Sequence, residues 1–581
     1  MAHLGIDLGT SNTLVARLSP SGEPEIRPIG DKMIPSCIYI EQPAGHPVVG
    51  KDALDMWADP QYDVAYSFRG WKPAMGEKRV LATLRFEKRP PIEVTPEYLT
   101  TLMVEYVVGE LSKGMLGGET IESVLVTVPH GWRRENPEKC RATRLAAAQA
   151  KVGNKNITVQ ELTVSEPVAA AAYWLWEARK KGLDKALQHK TVLVCDIGGG
   201  TFDLSLVRVG GEEKPLDVVD AVNNNIAGDY VDALLLAWVC RQFNERFHTD
   251  YPTTAQGILA PLPQMPKLRE WYLDVQKMKH TLSDRIRGVI TRGRGESLKP
   301  VKGTFVDPSG HTLMPSLSLA EFETCVEPFY AAGRELIRDF LTRNREQLPY
   351  AVLLAGGGSR MAGVREHILE PALRHFYAAE EVSSVLDRIS VNPLKTDEVI
   401  ALGAALIANG VVSVQERLLS QVGLIAHIPA PLAGKLGLPP QEQQVLIIPI
   451  LPRGTPLPAV FKSTDLGLPT SIAEGKELEL ALVVDDDSAD PWVQCWTLSH
   501  PGGGQPQSVE WEMRADMDGA LTLRLQPVRG RPAEVVGRLE RTRVGRAHLI
   551  VGEVLGRGAG ALPRVTPQQL RQAFEQLKHS S

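Results

Sequence analysis

A strand, a glycine-rich polar turn and a second strand occur twice in this chain, and this repetition limits the folds open to it. Residues 3–18 are predicted to form an apolar strand His3–Asp7, a turn of Gly, Thr, Ser and Asn, and a second strand Thr13–Leu18. Residues 191–209 repeat the pattern as TVLVCD, the turn IGGGT and FDLSLVRV. Because mixed α/β sequence separates the two copies, we expect two similar lobes that face each other.

Other apolar runs indicate how the rest of the chain is organised. VLVTV (124–128) and AVLLA (351–355) are each followed by a helical pattern, which fits strands of α/β layers. The character changes near 411–430, and short runs broken by Gly and Pro then predict an all-β module. These runs are VLIIPI, LELALVV, VEWEMRA, LTLRL and HLIVGEV. After them, only Pro567–Lys578 has a helical pattern.

The length of the chain requires more than one domain. Single hydrophobic cores stop growing near ~250–300 residues, and the chain has 581. We predict a first, α/β domain at 1–412, a linker at 413–424, an all-β sandwich-like domain at 425–550, and a tail at 551–581 with one short helix.

Composition argues against several classes of protein. A net charge of −5 gives no reason to expect a nucleic-acid or membrane partner. Six cysteines lie far apart without a C-x-x-C pair, which is typical of unlinked thiols in a reducing compartment. No charged leader precedes an apolar core, and no apolar run approaches the ~20 residues that span a bilayer. We therefore expect a cytoplasmic protein.

The first turn lies in GIDLGTSN (5–12). Gly9 lets consecutive backbone N–H groups converge on an anion, while Thr10, Ser11 and Asn12 add side-chain donors for phosphate oxygens. Asp7 ends the strand, where its carboxylate could hold the water of a metal ion. Taken alone, this segment is explained equally well as a plain hairpin turn.

The second turn, DIGGGTFD (196–203), is more specific. Three consecutive glycines cost folding entropy, which a simple hairpin has little reason to accept. They can wrap a phosphate closely, while Thr201 offers a hydroxyl group. Asp196 and Asp203 offer carboxylates to a hydrated Mg²⁺, which binds through few carboxylates. The two turns together predict a site for a magnesium-bound phosphate ligand.

A third glycine loop, LLAGGGSRMAGV (353–364), follows a strand and precedes a helix. Such a loop is a generic ligand cradle and is weak evidence alone. The chain has no G-x-x-x-x-G-K-[S/T] run, so a P-loop enzyme is not expected.

In the order of these three loops the chain resembles the actin/hexokinase/heat-shock ATPase superfamily. In the sequences of its motifs it resembles one branch of that superfamily, the seventy-kilodalton heat-shock chaperones of the DnaK type. The resemblance covers residues 1–410 and continues more loosely through the linker-like VQERLLSQV and the strand pair at 504–525. It implies a two-lobed actin-like α/β ATPase domain followed by a β-sandwich peptide-binding domain. The matching motifs are GIDLGTSNTLVA, VLVTVPHGW, SEPVAAAAY, DIGGGTFDLSLV, AGDYVD, AGGGSRMAGV and TDEVIALGAALIA.

The resemblance also implies roles for individual residues. Lys72 in WKPAMG fits the catalytic lysine of the family, with Arg69 as a rival, and either cation would stabilise charge on the γ-phosphate. Glu166, Asp196 and Asp203 would surround Mg²⁺ and orient the attacking water. The implied catalytic residues are Lys72, Glu166, Asp196, Thr201 and Asp203, and Mg²⁺ would be held by Asp7 and Asp196, through water.

The same resemblance implies a site for ATP or ADP. The phosphate loops would be lined by Gly9, Thr10, Ser11, Asn12, Gly198, Gly199, Gly200, Thr201 and Gly228. Adenosine would be held by Gln276, Lys279, Ser283, Gly356, Gly357, Gly358, Arg360 and Asp397. Gln276 stands where the family has glutamate and His280 where it has arginine, which predicts weaker adenosine binding. In the helix WYLDVQKMKHTLSD (271–284), a different face is predicted to enter the core: Trp271, Val275, Met278 and Leu282.

The function implied is that of an ATP-dependent chaperone, a slow ATPase that couples hydrolysis to binding of unfolded or extended polypeptide. A J-domain co-chaperone and a nucleotide-exchange factor are candidate partners. About thirty residues follow the β-module, so the helical lid of the family is predicted to be missing and bound peptide to leave faster. Two alternatives stay open: a nucleotide-sensing scaffold with little or no ATPase, and a small-molecule kinase or filament protein of the same superfamily.

Overall fold

In a computed structural model the chain divides into two compact units, residues 1–131 with 141–414, and residues 132–140 with 415–581. The structure describes most of the chain, and every structural statement below concerns that part. The described residues are 2–86, 89–114, 120–210, 216–259, 262, 265–292, 299–388, 395–438, 443–466, 471–472, 477–485, 492–499, 507–508, 510–526, 534–543, 565–566, 568–569 and 572–573.

The first hairpin of the sequence is part of a six-stranded sheet in the first unit. Ala2–Leu8 pairs antiparallel with Asn12–Leu18 and parallel with Ile121–Val128. The hairpin predicted at 3–18 is therefore confirmed. The sheet is completed by Pro24–Ile26, Ile34–Pro35 and Val164–Ser165.

The second hairpin lies in a four-stranded sheet of the same unit. Thr191–Ile197 pairs antiparallel with Phe202–Arg208 and parallel with Ala351–Ala355, and Asp217–Asn224 lies at the outer edge. Each hairpin thus has a parallel strand beside its first strand.

Two helices pack against these sheets and against each other. Val399–Ala408 is buried along its whole length and packs against Glu166–Lys180 so closely that a Cβ on Gly403 would collide with the backbone of Ala169. The other described α-helices up to residue 414 are Lys51–Ala58, Pro96–Gly114, His130–Glu135, Pro137–Gln149, Asp184–Leu187, Gly228–Phe247, Ala255–Leu259, Pro266–Arg292, Leu319–Arg343, Glu370–Leu373 and Ala379–Asp387. Of these, His130–Glu135 and Pro137–Gln149 include residues of the segment 132–140, which belongs to the second unit.

Short strands complete the unit: Cys37–Ile40, Pro47–Val49, Ser67–Arg69, Ala82–Phe86, Arg89–Val94, Lys151–Val152, Lys155–Asn156, Val301–Lys302, Phe305–Val306, Thr312–Leu313 and Ser316–Leu317.

The helix Pro266–Arg292 contains the segment in which a core face is predicted. Trp271, Val275, Met278 and Leu282 are all buried, so this prediction is confirmed.

The second unit is built mainly from strands. A five-stranded sheet has the order Gln443–Leu451, Gln421–Pro429, Glu477–Asp485, Trp492–Ser499, Glu534–Arg543, and a three-stranded sheet has the order Ala459–Lys462, Glu510–Ala515, Leu521–Gln526. Ser471–Ile472 pairs with Gln507–Ser508, and Ala430–Lys435 is a helix. The buried core of the unit includes Val422, Leu482, Trp511 and Met513.

VLIIPI, LELALVV and LTLRL lie in these strands, and so do the described residues 510–515 of VEWEMRA. HLIVGEV (548–554) lies outside the described residues. The strand Gln421–Pro429 begins inside the range 413–424 that the sequence suggests as a linker.

The C-terminal segment is described only in part. Of the helix predicted at Pro567–Lys578, the described residues Gln568, Gln569, Gln572 and Ala573 are helical. Thr566 and Gln569 form a reciprocal cap, in which the Gln569 N–H donates to Thr566 Oγ1 (3.2 Å) and the Thr566 N–H donates to Gln569 Oε1 (2.9 Å). The Val565 N–H donates to the Ile447 carbonyl at 3.0 Å, at the edge of the five-stranded sheet.

Five cysteines with described side chains are free thiols, and Cys37, Cys140, Cys195 and Cys240 are buried. No helix in the described part of the chain has the length and apolar character needed to cross a membrane.

Candidate functional site

The two glycine turns touch each other. A Cβ on Gly199 would collide with the side chain of Ser11, and one on Gly200 would lie 3.4 Å from Thr10 Cγ2. The turns are held locally: the Gly198 N–H donates to the Thr201 carbonyl (2.9 Å), and the Ser36 hydroxyl donates to the Gly9 carbonyl (2.8 Å). Glycine at 199 therefore allows an approach of the two turns that a side chain would block.

The third loop and a helix N-terminus close on the second turn. Gly356 has φ 76°, and a Cβ there would collide with Asp196 Oδ1 and the Ile197 carbonyl. At the start of the helix Gly228–Phe247, the Gly228 N–H donates to the Gly198 carbonyl at 3.1 Å. The predicted phosphate and nucleoside loops are thus neighbours in space.

Asp7, Glu166 and Asp196 lie at the carboxyl ends of strands, whereas Asp203 lies near the amino end of its strand. Asp7 lies near the end of Ala2–Leu8, and the Thr127 hydroxyl of the adjacent parallel strand donates to its Oδ1 at 3.1 Å. Glu166 follows the next parallel strand and opens the helix Glu166–Lys180. Asp196 and Asp203 face each other in register across the second hairpin.

Lys72 joins this acidic cluster. Its Nζ lies 2.6 Å from Glu166 Oε1, and both side chains are only 10% exposed. The rival cation, Arg69, lies elsewhere, with its guanidinium over the Trp57 ring at 4.3 Å from the centroid. The structure thus brings Lys72, and not Arg69, to the carboxylates.

Burial and mutual repulsion oppose ionisation of the carboxyl groups. Burial, and then the charge of Glu166, raises the pKa of Asp7 to about 7, and the same two causes raise the pKa of Asp203 to about 7. Burial, then Glu166 and Asp203, raises the pKa of Asp196 well above its ordinary value. Burial lowers the pKa of Lys72, but the charges of Glu166 and Asp7 outweigh it, so that the pKa is raised.

A hydrated divalent cation fits this excess of negative charge. In the part of the chain that the structure describes, no three His, Cys, Asp or Glu side chains converge closely enough to ligate a metal directly. Mg²⁺ keeps several of its waters and needs few protein carboxylates. Asp7 and Asp196 suit an ion that they would hold through its water shell.

A cavity of about 310 Å³ extends from the two turns along the helix Pro266–Arg292. Residues predicted from the sequence that line it are Ser11, Asn12, Gly198, Gly199, Gly228, Gln276, Lys279, Ser283, Gly357, Gly358, Arg360 and Asp397. Gly9, Thr10 and Lys72 line a smaller cavity of about 20 Å³.

Asp232 also lines the large cavity and was not predicted. Its buried carboxylate receives a hydrogen bond from Gln276 Nε2 (2.7 Å) and an ion pair from Lys279 Nζ (2.6 Å). The signal was present in AGDYVD, since Asp232 follows Gly228 by four residues and lies on the same helix face.

Beside this group, burial, and then the charges of Lys279 and Arg360, lowers the pKa of His280 to about 4. The imidazole is therefore neutral near pH 7, and it lines the cavity as an uncharged ring.

Comparisons of the sequence with known proteins find one family. The model of a family described as Hsp70 protein matches residues 3–425. The proteins named "Chaperone protein DnaK" of Thermotoga petrophila and Thermotoga maritima are each 27% identical over 463 residues, which cover 78% of this chain and 66% of theirs. "Chaperone protein DnaK 3" of a Synechococcus species is 26% identical over 543 residues, covering 90% of this chain and 73% of its own. The chain thus spans just under two thirds of the length of the Thermotoga relatives.

Proposed function

The chain belongs to the Hsp70 family, and from this premise we propose that it is an ATP-dependent molecular chaperone. It would bind Mg²⁺-ATP between the glycine turns, hydrolyse it slowly to ADP and phosphate, and couple hydrolysis to binding of unfolded or extended polypeptide. The observation that carries the proposal is the buried Lys72–Glu166 pair beside Asp7 and Asp196, at the meeting point of the two turns.

In this proposal the first-unit residues act by position and charge. Backbone N–H groups and hydroxyls of the two turns hold the phosphates, and Lys72 Nζ stabilises the charge that develops on the γ-phosphate as its bond breaks. A carboxylate of Glu166 or Asp203 orients the attacking water and can receive its proton. Bound Mg²⁺ would neutralise phosphate oxygens and lower the repulsion among the carboxylates.

The nucleoside would occupy the large cavity. Gln276 and Lys279 line one wall of this cavity, and both are held in place by Asp232. Arg360 and His280 offer flat faces against which a base can stack. We propose this set, with Ser283 and Asp397, as the adenosine site. Because the Gln276 amide nitrogen is bound to Asp232, its oxygen is left as the acceptor for a ligand hydroxyl.

The second unit would supply the polypeptide-binding function. Its support is the family assignment together with the strand-rich architecture at 421–543. An extended peptide would bind such a unit through main-chain hydrogen bonds and an apolar pocket. J-domain proteins and exchange factors are proposed as partners from the family alone.

Single-turnover hydrolysis of ATP by the full chain, with and without a panel of unfolded peptides, tests the proposal. We expect hydrolysis that needs Mg²⁺ and that at least some peptides accelerate, and a loss of about 10²-fold or more in Thr201→Ala, since it removes a positioned hydroxyl. ATP binding without phosphate release above background would instead favour the nucleotide-sensing scaffold. Hydrolysis that no peptide changes would contradict the chaperone assignment.

A further inference from the structure

Lys72 is carried by a segment that fixes its own position only weakly. The lysine begins a single 3₁₀ turn, Lys72–Ala74, which is closed by a hydrogen bond from the Met75 N–H to the Lys72 carbonyl at 3.1 Å. Such short turns have poorer hydrogen-bond geometry than an α-helix. A cavity of about 20 Å³ also adjoins Lys72, so packing leaves space on that side. The position of the lysine therefore depends on contacts from outside the turn.

The helix Pro96–Gly114 provides such a contact through the hydroxyl of Thr100. The Trp71 Nε1–H donates to Thr100 Oγ1 at 3.1 Å, and the Thr100 hydroxyl donates in turn to Met75 Sδ at 3.3 Å. The hydroxyl thus serves once as acceptor and once as donor, which uses both of its capacities. Because Trp71 precedes the turn and Met75 follows it, one hydroxyl ties both flanks of Lys72 to the helix.

Burial makes this pair of hydrogen bonds difficult to replace, since Trp71, Thr100 and Met75 are all buried. If the Thr100 hydroxyl were removed, the indole N–H of Trp71 would lose its acceptor. A buried donor without a partner is costly, so the indole and the backbone that carries it should shift to regain one. Because Lys72 is the next residue, its side chain would shift as well.

A second contact anchors the far end of the segment to the same helix. The Gly76 N–H donates to Glu97 Oε1 at 2.8 Å. This hydrogen bond does not involve Thr100 and remains when the Thr100 hydroxyl is lost. Removal of the hydroxyl should therefore displace the turn without unfolding the segment.

We infer that Thr100 is a positioning residue for Lys72, because its hydroxyl holds the turn from which the lysine acts. This inference rests on the proposed ATPase function and adds to it a residue on a helix outside the glycine turns. Displacement of a catalytic group by about 1 Å can lower a rate on the order of 10²-fold. Since ADP lacks the γ-phosphate on which Lys72 is proposed to act, the same displacement should leave ADP affinity nearly unchanged.

Single-turnover hydrolysis of ATP by the full chain with Mg²⁺, beside calorimetric titration with ADP, tests this inference. Thr100→Val keeps the shape of the side chain and removes both hydrogen bonds. It should lower the hydrolysis rate about 10- to 100-fold and leave ADP affinity unchanged within about twofold. Thr100→Ser keeps the hydroxyl and should restore the rate to within about threefold of that of the unmodified protein.

Thr101→Val is the matched control on the same helix. Thr101 is buried like Thr100, but its hydroxyl donates to the Ala146 carbonyl at 2.8 Å rather than to a residue beside Lys72. The control should keep the hydrolysis rate within about threefold. An equal loss of rate in Thr101→Val, or a fall of ADP affinity that matches the fall of rate in Thr100→Val, would contradict a positioning role.

Met75→Leu tests the same contact from its other side, because it removes the sulfur acceptor at nearly constant volume and is expected to fold. It should lower the rate about three- to tenfold. An unchanged rate in folded Thr100→Val would overturn the inference and leave the proposed ATPase intact. If Thr100→Val did not fold, an unchanged rate in Met75→Leu would overturn the inference in the same way. Absence of hydrolysis by the unmodified chain would overturn both.

Discussion

Replacement of Lys72 by methionine should destabilise the ligand-free protein as well as abolish its proposed activity. Lys72 and Glu166 are 2.6 Å apart and each 10% exposed, so little solvent screens the pair. Removing one member of such a buried pair costs about 3–5 kcal/mol, because the partner charge is left without compensation. Methionine keeps most of the side-chain volume, so the loss reports charge rather than a cavity.

The carboxylates around Lys72 determine how this loss depends on pH. Since the pKa of Asp7 and of Asp203 is already raised to about 7, removal of the cation disfavours their ionised forms further. A raised carboxyl pKa lowers stability as the pH rises through the interval between the unfolded and folded values. The destabilisation should therefore be largest near pH 8 and smaller near pH 5.

Urea unfolding of nucleotide-free protein in a chelator, at pH 5 and pH 8, measures this effect. The double variant Lys72→Met/Glu166→Gln is the key comparison, because replacing both charges by neutral groups should restore most of the stability. Single-turnover hydrolysis should be lost in both variants.

Arg69→Ala is the matched cation control and should retain hydrolysis within a few-fold, because Arg69 lies over Trp57 rather than beside Glu166. If Lys72→Met unfolded like the unmodified protein, or the double variant were no more stable than the single one, the described geometry of the pair would be wrong.

Two further predictions concern charge and packing. Asp7→Asn should raise the stability of the nucleotide-free protein by ~1–2 kcal/mol at pH 8 and have little effect at pH 4, because a carboxyl with a raised pKa costs stability once it ionises. The same variant should lose hydrolysis. Equal changes in stability at both pH values would contradict this reasoning. Gly403→Ala should destabilise the first unit by ~1–3 kcal/mol, since its Cβ would collide with the Ala169 backbone, as chemical denaturation can show. The control is Gly109→Ala in the helix Pro96–Gly114, where nothing lies within 4 Å of the new Cβ. It should be neutral or stabilise the unit by up to ~1 kcal/mol. An equal loss of stability in both variants would mean that the collision at Gly403 is not the cause of the loss.

Local patterns made much of the fold predictable. Both hairpins were found because alternating apolar residues and a glycine turn act within a few residues of each other. The buried face of the helix at 271–284 followed from its periodicity for the same reason. The order of the loops then allowed residues to be assigned to one site by resemblance.

Features that depend on distant partners were not predictable. Sequence left Lys72 and Arg69 as rivals, and only the approach of Glu166, 94 residues away, separates them. Asp232 was missed because its contacts lie on another helix. The grouping of residues 132–140 with 415–581 likewise reflects contacts between distant segments.

Equilibrium binding of ATP in the presence of Mg²⁺, measured on the full chain beside Gly199→Ala, tests most directly whether the two facing turns hold a nucleotide. We predict saturable one-to-one binding that a chelator weakens. Gly199→Ala should abolish it, because the new methyl group in the second turn would push Ser11 of the first turn away. Absence of measurable affinity for ATP and ADP in the folded, unmodified protein would contradict the account, and so would unchanged affinity in Gly199→Ala.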